Sequence, residues 1–376
     1  MTRAGPFPAE DVPRSDGKPS DLGRLGDALG WSGLGEYVGC FDPFSPRRGD
    51  WERHRDQASE RLRPLIDLFL LNRPVATRGL PRSIQAQLDG LEALGLLSRS
   101  ARGVAMAGGL VILPVFGRWL MCQAPRSNPQ FYFGDDTVAL LARLAPMAGG
   151  RCLDLCAGPG ALALHAAGVA DRVVAVERAP ESAQLARLNA DLNRLSHRIE
   201  VLEGDLYAPV VGQAFDTVVA NPPMLPLAAG LDGPAIGHGG EDGLEMTRRV
   251  LAGLPGVLHP GGVAQIIGVA LSDGATPLGV GSFKDAIGGR LDLTLSILSH
   301  RTVREGAPYL DALVATVAAI SGAPAQAARA AYLAMLRRAG ASAVCHLFIH
   351  ARRGRGRIEV IDVSAANREA GWRWRS

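Results

Sequence analysis

The chain has almost no lysine and very little net charge. Lys18 and Lys284 are its only lysines among 40 basic residues, and 37 acidic residues leave a formal net charge of +3 over 376 residues. A preference for arginine of this kind is typical of genome composition and indicates no function. Because the field of the whole protein is close to neutral, charge alone does not draw the chain onto nucleic acid.

Cysteine and long apolar runs are also scarce. The five cysteines are Cys40, Cys122, Cys152, Cys156 and Cys345. Their odd number and lack of metal-ligand spacing predict reduced thiols in a cytoplasmic protein without a metal site. The first residues lack the apolar stretch of a signal peptide, so 1–24 are expected to be a disordered tail. The apolar stretch 103–117 is too short to span a membrane and 250–272 is interrupted by proline and glycine, so no membrane partner is predicted.

Residues 25–125 have the outline of an accessory domain. An apolar helical face runs through 51–71, and Ser83 can cap a second helix that Gly95 would end, before strand-like segments follow. Two helices followed by a small hairpin are typical of a winged helix. Because the second helix offers only Arg82 as a cation before its turn, we interpret this domain as a packing or homodimer module rather than a DNA reader.

Residues 126–376 are predicted to form the second domain. From Gly149 onward, short apolar strands alternate with helical segments. Such alternation is typical of parallel strands joined by crossover helices, so the predicted fold class is α/β with a doubly wound sheet. An alanine-rich helical pair near 305–340 is expected as an insertion, and the arginine-rich segment 351–376 is expected to be a solvated tail.

The segment LDLCAGPGALAL, residues 153–164, is the most informative part of the chain. A predicted strand delivers Asp154 into a glycine-rich turn that opens a helix. Gly158 and Gly160 carry no side chains, so a ligand can approach the backbone of this turn closely. Cys156 stands where a dinucleotide-binding turn has its first glycine, and the turn alone therefore does not choose a cofactor.

Three further polar signals follow, each at the end of a predicted strand. Glu177 ends the second strand, where a carboxylate can accept both hydroxyls of a ribose. Asp205 follows the third strand, where an acidic group can reach an adenine amino group. The tetrapeptide NPPM at 221–224 closes the fourth strand, at the edge where open α/β sheets bind ligands. Four signals in this order are much more specific than any one alone.

With these residues in place, the segment from about Phe131 to Gly268 resembles the class I S-adenosylmethionine-dependent methyltransferases that carry an N-P-P-(Y/F) motif. That group includes release-factor glutamine N-methyltransferases and adenine and guanine N-methyltransferases of DNA and RNA. The resemblance implies a Rossmann-like sheet with S-adenosylmethionine as cofactor, its methionine end held by 154–160, its ribose by Glu177 and its adenine by Asp205. The cofactor residues that it implies are Asp154, Cys156, Ala157, Gly158, Gly160, Glu177, Arg178, Asp205, Leu206 and Asn221.

The same resemblance assigns the catalytic positions to Asn221, Pro222, Pro223 and Met224. It implies that the side-chain oxygen of Asn221 and the carbonyl of Pro222 accept hydrogen bonds from the amino group to be methylated. Two fixed acceptors would aim the nitrogen lone pair at the methyl group, and the Pro-Pro backbone limits their drift. Met224 replaces the aromatic residue that stacks on a planar acceptor in the family, and methionine is a poorer stacking platform.

Residues outside these signals are weaker candidates for substrate contacts. The run 130–137 contains Tyr132, Phe133 and Asp136, and it is either a helix start with Asp136 or Thr137 as N-cap or part of the lining of the site. His238 lies in a glycine-rich loop after the tetrapeptide. The ordinary account of that loop is a flexible connection whose acidic residues complement the following helix dipole.

The sequence as a whole predicts a cytoplasmic enzyme that transfers a methyl group from S-adenosylmethionine to nitrogen. A small metabolite of specialised biosynthesis is the acceptor that best fits Met224, the near-neutral charge and an accessory domain able to roof a pocket. RNA or a protein glutamine is the alternative acceptor. A non-enzyme alternative is a DNA-binding regulator whose methyltransferase-like domain senses a ligand.

Overall fold

A computed structural model describes residues 22–42, 47–125, 128–233 and 237–369, which contain both helices and strands. The α-helices are α1 (Leu22–Gly30), α2 (Leu34–Gly39), α3 (Arg48–His54), α4 (Arg63–Leu65), α5 (Arg82–Gln85), α6 (Leu88–Ala93), α7 (Asp135–Leu141), α8 (Ala161–Ala166), α9 (Pro180–Leu192), α10 (Glu245–Val257), α11 (Phe283–Ile287), α12 (Pro308–Ser321), α13 (Ala325–Ala339) and α14 (Ser364–Glu369). A π-helical turn occupies Ile66–Leu70, and 3-10 turns occupy Arg55–Gln57, Thr77–Gly79, Ala107–Gly109, Ala208–Val210 and Val280–Ser282. Across these described ranges, none of the helices is both long and apolar enough to cross a membrane.

The strands form two small hairpins and one large sheet. They are β1 (Leu97–Ser100), β2 (Gly103–Met106), β3 (Leu110–Val115), β4 (Arg118–Gln123), β5 (Arg151–Leu155), β6 (Arg172–Glu177), β7 (Ile199–Glu203), β8 (Phe215–Ala220), β9 (Leu258–Ser272), β10 (Leu291–Thr302), β11 (Ala343–Arg353) and β12 (Ile358–Asp362). β1 pairs with β2 and β3 with β4, both antiparallel, whereas β5 to β12 belong to an eight-stranded, mostly parallel sheet. The predicted α/β fold class is confirmed.

The chain divides into two compact units, each built from several segments. Of the described residues, the first unit takes those up to 125 together with 131–143 and 157–203. The second unit takes 128–130, 144–156 and 204–369. This division differs from the predicted boundary between residues 125 and 126, because two segments that follow that boundary cluster with the N-terminal residues. Helix α1 also begins at Leu22, inside the predicted tail of residues 1–24, whose residues before Leu22 lie outside the described ones.

The sheet strands of the second unit lie in the order β12-β10-β11-β9-β8-β5. β5, β8 and β9 run parallel, while β11 is antiparallel to both β9 and β10. The sequence did not indicate this reversal, because a buried strand has the same apolar pattern in either direction. Parallel β5 and β8 meet in register at their carboxyl ends, which places the two following turns at one edge.

The first unit contains the parallel pair β6 and β7 with helices α8 and α9, together with the N-terminal helices and both hairpins. Helix α9 contacts α1 and β4. The approach of α1 is very close, since a Cβ added at Gly26 would lie 2.0 Å from the carbonyl oxygen of Leu192. The N-terminal segment is therefore packed directly onto α9 within this unit.

The N-terminal helices are shorter than the apolar pattern predicts. The face expected over 51–71 is divided among α3, a 3-10 turn, α4 and the π-helical turn, with Pro64 inside α4. Apolar spacing shows which residues face a core but not whether the backbone stays helical between them, and proline removes a helical donor. Ser83 is not a cap, because α5 begins at Arg82 after Pro81. A helix pair and a hairpin are present in order, and the winged-helix interpretation stays a prediction.

The predicted helical pair is present as α12 and α13, separated at 322–324. Its apolar residues pack with Leu227 and Ala228, which follow the tetrapeptide at 221–224. Beyond the pair, β12 lies parallel to β10 and is followed by α14. Most residues of 352–367 are exposed, as expected for a solvated segment. Residues 358–362 are nevertheless a strand rather than a tail, because a short strand containing charged residues can still pair along a sheet edge.

Candidate functional site

The strand ends of the second unit bring two of the predicted motifs side by side. Leu155 on β5 lies opposite Ala220 on β8, so Cys156 and Asn221 begin neighbouring turns at the carboxyl edge of the sheet. Asp154, one residue before the end of β5, is fully buried. A buried carboxylate is costly without polar contacts and favours a cationic partner. This edge therefore combines a buried acid with the start of the NPPM tetrapeptide.

Two non-glycine residues of the predicted site have left-handed backbone. Cys156 has φ +57° and Leu206 has φ +49°. This conformation costs an L residue about 1–2 kcal/mol, and such strain concentrates at ligand-binding sites. Cys156 stands where a dinucleotide-binding turn has its first glycine. The positive φ at this position explains why glycine suits it, because glycine adopts a left-handed backbone without steric cost.

In the first unit, the remainder of the glycine-rich turn is bound to Glu177. The N–H of Gly158 donates to Oε2 of Glu177 at 2.8 Å, and the N–H of Ala179 donates to Oε1 at 2.8 Å. The N–H of Ala157 donates to the carbonyl of Val176 at 3.1 Å. Both carboxylate oxygens of Glu177 are thus fixed by backbone N–H groups. Each oxygen keeps a lone pair that can accept a hydrogen bond from a hydroxyl group.

The two glycines of this turn are required for different reasons. A Cβ at Gly158, which has φ +53°, would meet no heavy atom within 4 Å. A Cβ at Gly160, which has φ +86°, would lie 3.2 Å from Cβ of Ala186 on α9. Gly160 therefore allows helix packing, whereas Gly158 presents bare backbone to open space. That open face suits a ligand that approaches the main chain.

Asp205, predicted to reach an adenine, already has a partner in the protein. Its Oδ2 pairs with Nη2 of Arg249 on α10 at 2.6 Å, and the Asp205 side chain is 47% exposed. Nearby, the hydroxyl of Tyr207 donates to the carbonyl of Val250, and burial raises the pKa of Tyr207. The sequence did not single out Arg249, because it lies 44 residues from Asp205 with no local spacing signal. Arg178, predicted beside Glu177, is exposed.

The loop after the tetrapeptide is held by the segment that contains His238. The N–H of Leu225 donates to the carbonyl of Gly237 at 2.7 Å, and the N–H of Gly239 donates back to Leu225 at 3.0 Å. Nδ1 of His238 accepts the N–H of Gly240 at 3.3 Å. One ring nitrogen of His238 is therefore engaged by its own loop, and its contact with substrate stays a prediction.

The helical pair also holds this loop. Tyr332 on α13 is fully buried and donates its hydroxyl to the carbonyl of Pro226 at 3.0 Å. Met224 and Leu225 pack partly buried against the same apolar cluster. The sequence did not indicate Tyr332, because nothing local in an alanine-rich helix marks one tyrosine as the partner of a loop 106 residues away.

The predicted substrate residues near 132–136 lie in the first unit. The hydroxyl of Tyr132 hydrogen-bonds to the carboxylate of Asp136. Helix α7 begins at Asp135 after Gly134 with no side-chain cap, so the prediction of Asp136 or Thr137 as N-cap is wrong. Phe133 lines an apolar cavity of about 250 Å³ whose wall also includes Phe41, Trp51, Leu113, Phe116 and Val138.

Two asparagines were also missed: Asn189, which is fully buried on α9, and Asn193, which is partly buried and caps the C-terminal end of that helix. Asn189 and Asn193 hydrogen-bond to the backbone of β4, and Asn189 also reaches the carbonyl of Pro159 in the glycine-rich turn. Their spacing of four residues beside the leucines of α9 is the one signal that could have marked them. Within the described ranges, no group of three His, Cys, Asp or Glu side chains could hold a metal ion.

The comparisons with known proteins agree with the motif order. A family model described as the methyltransferase small domain matches residues 133–268. The release factor glutamine methyltransferase of Moorella thermoacetica is 38% identical over 135 residues, covering 33% of this chain and 48% of that protein. A Methanocaldococcus jannaschii protein, provisionally described as a protein N5-glutamine methyltransferase, is 32% identical over 151 residues, covering 39% and 75% respectively. The ribosomal protein uL3 glutamine methyltransferase of Bradyrhizobium diazoefficiens is 33% identical over 141 residues, covering 35% and 44%.

The mostly parallel sheet, the glycine-rich turn and the strand-end NPPM define a class I S-adenosylmethionine-dependent methyltransferase fold. The chain belongs to the methyltransferase small-domain family, whose members use S-adenosylmethionine. It spans about half the length of the release factor and uL3 relatives that it matches.

Proposed function

We propose that this protein transfers a methyl group from S-adenosylmethionine to the side-chain amide nitrogen of a protein glutamine. The observation that carries the proposal is the NPPM tetrapeptide at 221–224, which begins at the carboxyl end of β8 beside that of β5. The names of the relatives support a glutamine acceptor, since they specify a release factor and ribosomal protein uL3. These names favour the alternative over the small metabolite that the sequence suggested first.

The chain's own residues fit an adenosyl cofactor in chemical terms. Asp154 offers a buried carboxylate to a cationic amino group, and Glu177 offers backbone-fixed oxygens to ribose hydroxyls. Gly158 leaves its backbone open to close approach. When bound, S-adenosylmethionine supplies a methyl group on a positively charged sulfur. We assign Cys156, Ala157, Gly160, Arg178 and Leu206 to the surroundings of this cofactor, with Asp205 shared between adenine and Arg249.

The proposed work of the tetrapeptide is to orient the acceptor. The side-chain oxygen of Asn221 and the carbonyl of Pro222 would each accept one N–H of a primary amide. With both N–H bonds held, the nitrogen presents its remaining face to the methyl donor, and alignment supplies most of the rate gain. The proline that follows, Pro223, restricts the backbone so that the two acceptors keep their separation.

Met224 replaces an aromatic residue that the family carries for amide and base acceptors alike, and it is compatible with a small acceptor such as a primary amide. Its side chain packs partly buried against the cluster formed with α12 and α13. A primary amide is small and needs no broad stacking platform, so an adaptable thioether suffices beside it. With methionine at position 224, a nucleobase acceptor would lose its stacking on an aromatic side chain, which is worth about 1–3 kcal/mol. The formal net charge of +3 also gives little attraction to a phosphate backbone.

Calorimetry with S-adenosylmethionine tests the cofactor assignment. Asp154→Ala and Glu177→Gln are expected to weaken binding at least tenfold relative to the unchanged protein. Glu203→Gln is the matched control, because Glu203 lies opposite Glu177 in the β6–β7 register but pairs with Arg187. No binding by the unchanged protein, or equal binding by all variants, would overturn the assignment.

Transfer of labelled methyl groups tests the acceptor. The protein is incubated with labelled S-adenosylmethionine and, separately, with ribosomal proteins, a release factor, total tRNA or free glutamine. Label is expected in protein only, with mass spectrometry placing one added methyl group on a glutamine side chain. Asn221→Ala is expected to lose turnover about a hundredfold, with a much smaller change in cofactor affinity. Label confined to RNA or to free glutamine contradicts the proposal.

A further inference from the structure

Asn189 on α9 and Asn193, the C-cap residue of that helix, hydrogen-bond to the backbone of strand β4 as a neighbouring strand would. Oδ1 of Asn189 accepts the N–H of Met121 at 2.8 Å, and its Nδ2 donates to the Met121 carbonyl at 2.9 Å. Four residues on, Asn193 repeats the arrangement at Trp119, with distances of 2.9 and 2.7 Å. Two carboxamides therefore satisfy a stretch of strand edge that would otherwise need another strand.

Only the first of these asparagines also contacts the glycine-rich turn. Nδ2 of Asn189 donates a second hydrogen bond, of 2.8 Å, to the carbonyl of Pro159. The corresponding second bond of Asn193 goes to the carbonyl of Asn189 within the helix itself. Asn189 is fully buried, and its two N–H groups and its oxygen all have partners. One side chain thus ties β4 to the turn between Gly158 and Gly160.

We propose that Asn189 is a positioning residue for the cofactor. It holds the glycine-rich turn against β4, so that the β3–β4 hairpin is needed for full affinity for S-adenosylmethionine. The inference rests on the proposed cofactor role of that turn. Its physical basis is that Gly158 and Gly160 have no side chains that could fix the turn on either side of Pro159. A buried carboxamide with all its bonds made is rigid, and it restricts the turn at its central residue.

The matched pair Asn189→Ala and Asn193→Ala separates positioning from hairpin packing. Both variants lose two bonds to β4, but only Asn189→Ala loses the bond to Pro159. We expect S-adenosylmethionine to bind Asn189→Ala roughly five- to tenfold more weakly, the effect of one buried hydrogen bond. Asn193→Ala is expected to stay within about twofold of the unchanged protein. KM for the cofactor should rise with kcat kept, since residues 221 and 222 are untouched.

Hydrogen exchange on the unchanged protein tests the same inference without relying on a variant that folds. The N–H of Met121 donates to Asn189, and the N–H of Trp119 donates to Asn193. Cofactor binding should slow hydrogen exchange at the Met121 N–H more than at the Trp119 N–H. Equal affinity in both variants, or no difference between the two amides, overturns the inference. Absence of binding by the unchanged protein instead removes the proposed function, so the two failures are distinguishable.

Discussion

Two glycines with positive φ, Gly158 and Gly212, have equally open surroundings but lie in different places. Neither would bring an added Cβ within 4 Å of another heavy atom. Gly158 is in the glycine-rich turn, whereas Gly212 precedes β8 at the amino end of that strand. Substitution of either glycine should therefore strain the backbone. Only substitution of Gly158 should also affect ligand binding.

We expect Gly158→Ala and Gly212→Ala each to lower the free energy of unfolding by about 1 kcal/mol, because both force alanine into the left-handed region. Urea denaturation measures this loss. Only Gly158→Ala should weaken S-adenosylmethionine binding, by at least tenfold in calorimetry, since its methyl group would occupy the open face. Equal affinity of the two variants would show that this face is not where the cofactor approaches.

The hydrogen bonds of the single residue Asp273 predict a pH dependence of the protein's stability. Its Oδ1 accepts the N–H groups of Thr276 at 2.7 Å and Ala275 at 2.8 Å, and its Oδ2 accepts the Thr276 hydroxyl. These bonds, the Thr276 N–H foremost, lower the pKa of Asp273 from 3.8 to about 2. A folded-state pKa below the unfolded one stabilises the protein above about pH 4, and the gain is lost as the pH falls toward 2.

Asp273→Ala should therefore lower the melting temperature at pH 7, with the difference from the unchanged protein shrinking between pH 4 and pH 2. Thermal melts across this range measure the difference. Asp273→Asn keeps one acceptor oxygen without the charge, and its deficit should be smaller and nearly independent of pH. A deficit for Asp273→Ala that persists unchanged at pH 2 would show that the carboxylate charge contributes nothing to this turn.

The residues whose positions the sequence could predict are those that stand at the end of a strand. Asp154, Glu177 and Asn221 each stand at the carboxyl end of an apolar run, and the observed strands end where the pattern indicated. Arg249 and Asn189 were missed because their partners are 44 and 68 residues away. Such contacts arise only when helices dock on the sheet, and no local spacing encodes them.

Among the elements, the buried strands and the helical pair were predictable, and the edge elements were not. Strands β5, β6 and β8 are short, mostly buried apolar runs that the hydrophobic pattern indicates clearly, and β7 alternates buried and exposed residues over its first three positions. β12 reads as charged and exposed, and its pairing with β10 follows from the free edge of that strand rather than from its own composition. The N-terminal helices depart from prediction because tertiary packing, with Pro64, interrupts a regular apolar face.

The hydrogen bond between α13 and the loop that follows residues 221–224 leads to a prediction for Tyr332. Tyr332→Phe removes the bond from its hydroxyl to Pro226 and leaves a buried carbonyl without it. We expect a loss of about 1–2 kcal/mol in the free energy of unfolding. Turnover should fall several-fold, because the loop that follows 221–224 is less firmly held, while cofactor affinity stays unchanged.

Tyr37→Phe is the matched control for this element-scale prediction. Its hydroxyl also donates to a backbone carbonyl, that of Trp51 at 2.9 Å, but at a partly exposed position in the first unit. Water can replace that bond, so a loss of about 0.5 kcal/mol is expected, with turnover kept. Urea denaturation and methyl-transfer rates measured on both variants decide the matter. If Tyr332→Phe is no less stable and no slower than the control, α13 does not hold the loop.

At the scale of the whole molecule, the N-terminal segment and part of the methyltransferase sheet belong to one compact unit. The sequence predicted a boundary between residues 125 and 126, ahead of the alternating strands and helices that begin near Gly149. The observed first unit instead joins the N-terminal residues to 157–203. The composition of a segment indicates its secondary structure but not which other segments it packs against. The compact units depend on that packing, and both α1 and β4 pack against α9.

Substitution of Gly26 tests whether this unit unfolds as one. A Cβ there would lie 2.0 Å from the carbonyl oxygen of Leu192, a backbone atom that cannot move cheaply, so Gly26→Ala should cost about 2 kcal/mol or more. Gly30→Ala, in the same helix with nothing within 4 Å, should be neutral or slightly stabilising. In hydrogen exchange, Gly26→Ala should speed the amides of α9 as well as those of α1. Faster exchange confined to α1 would mean that the N-terminal segment unfolds independently, as the predicted boundary required.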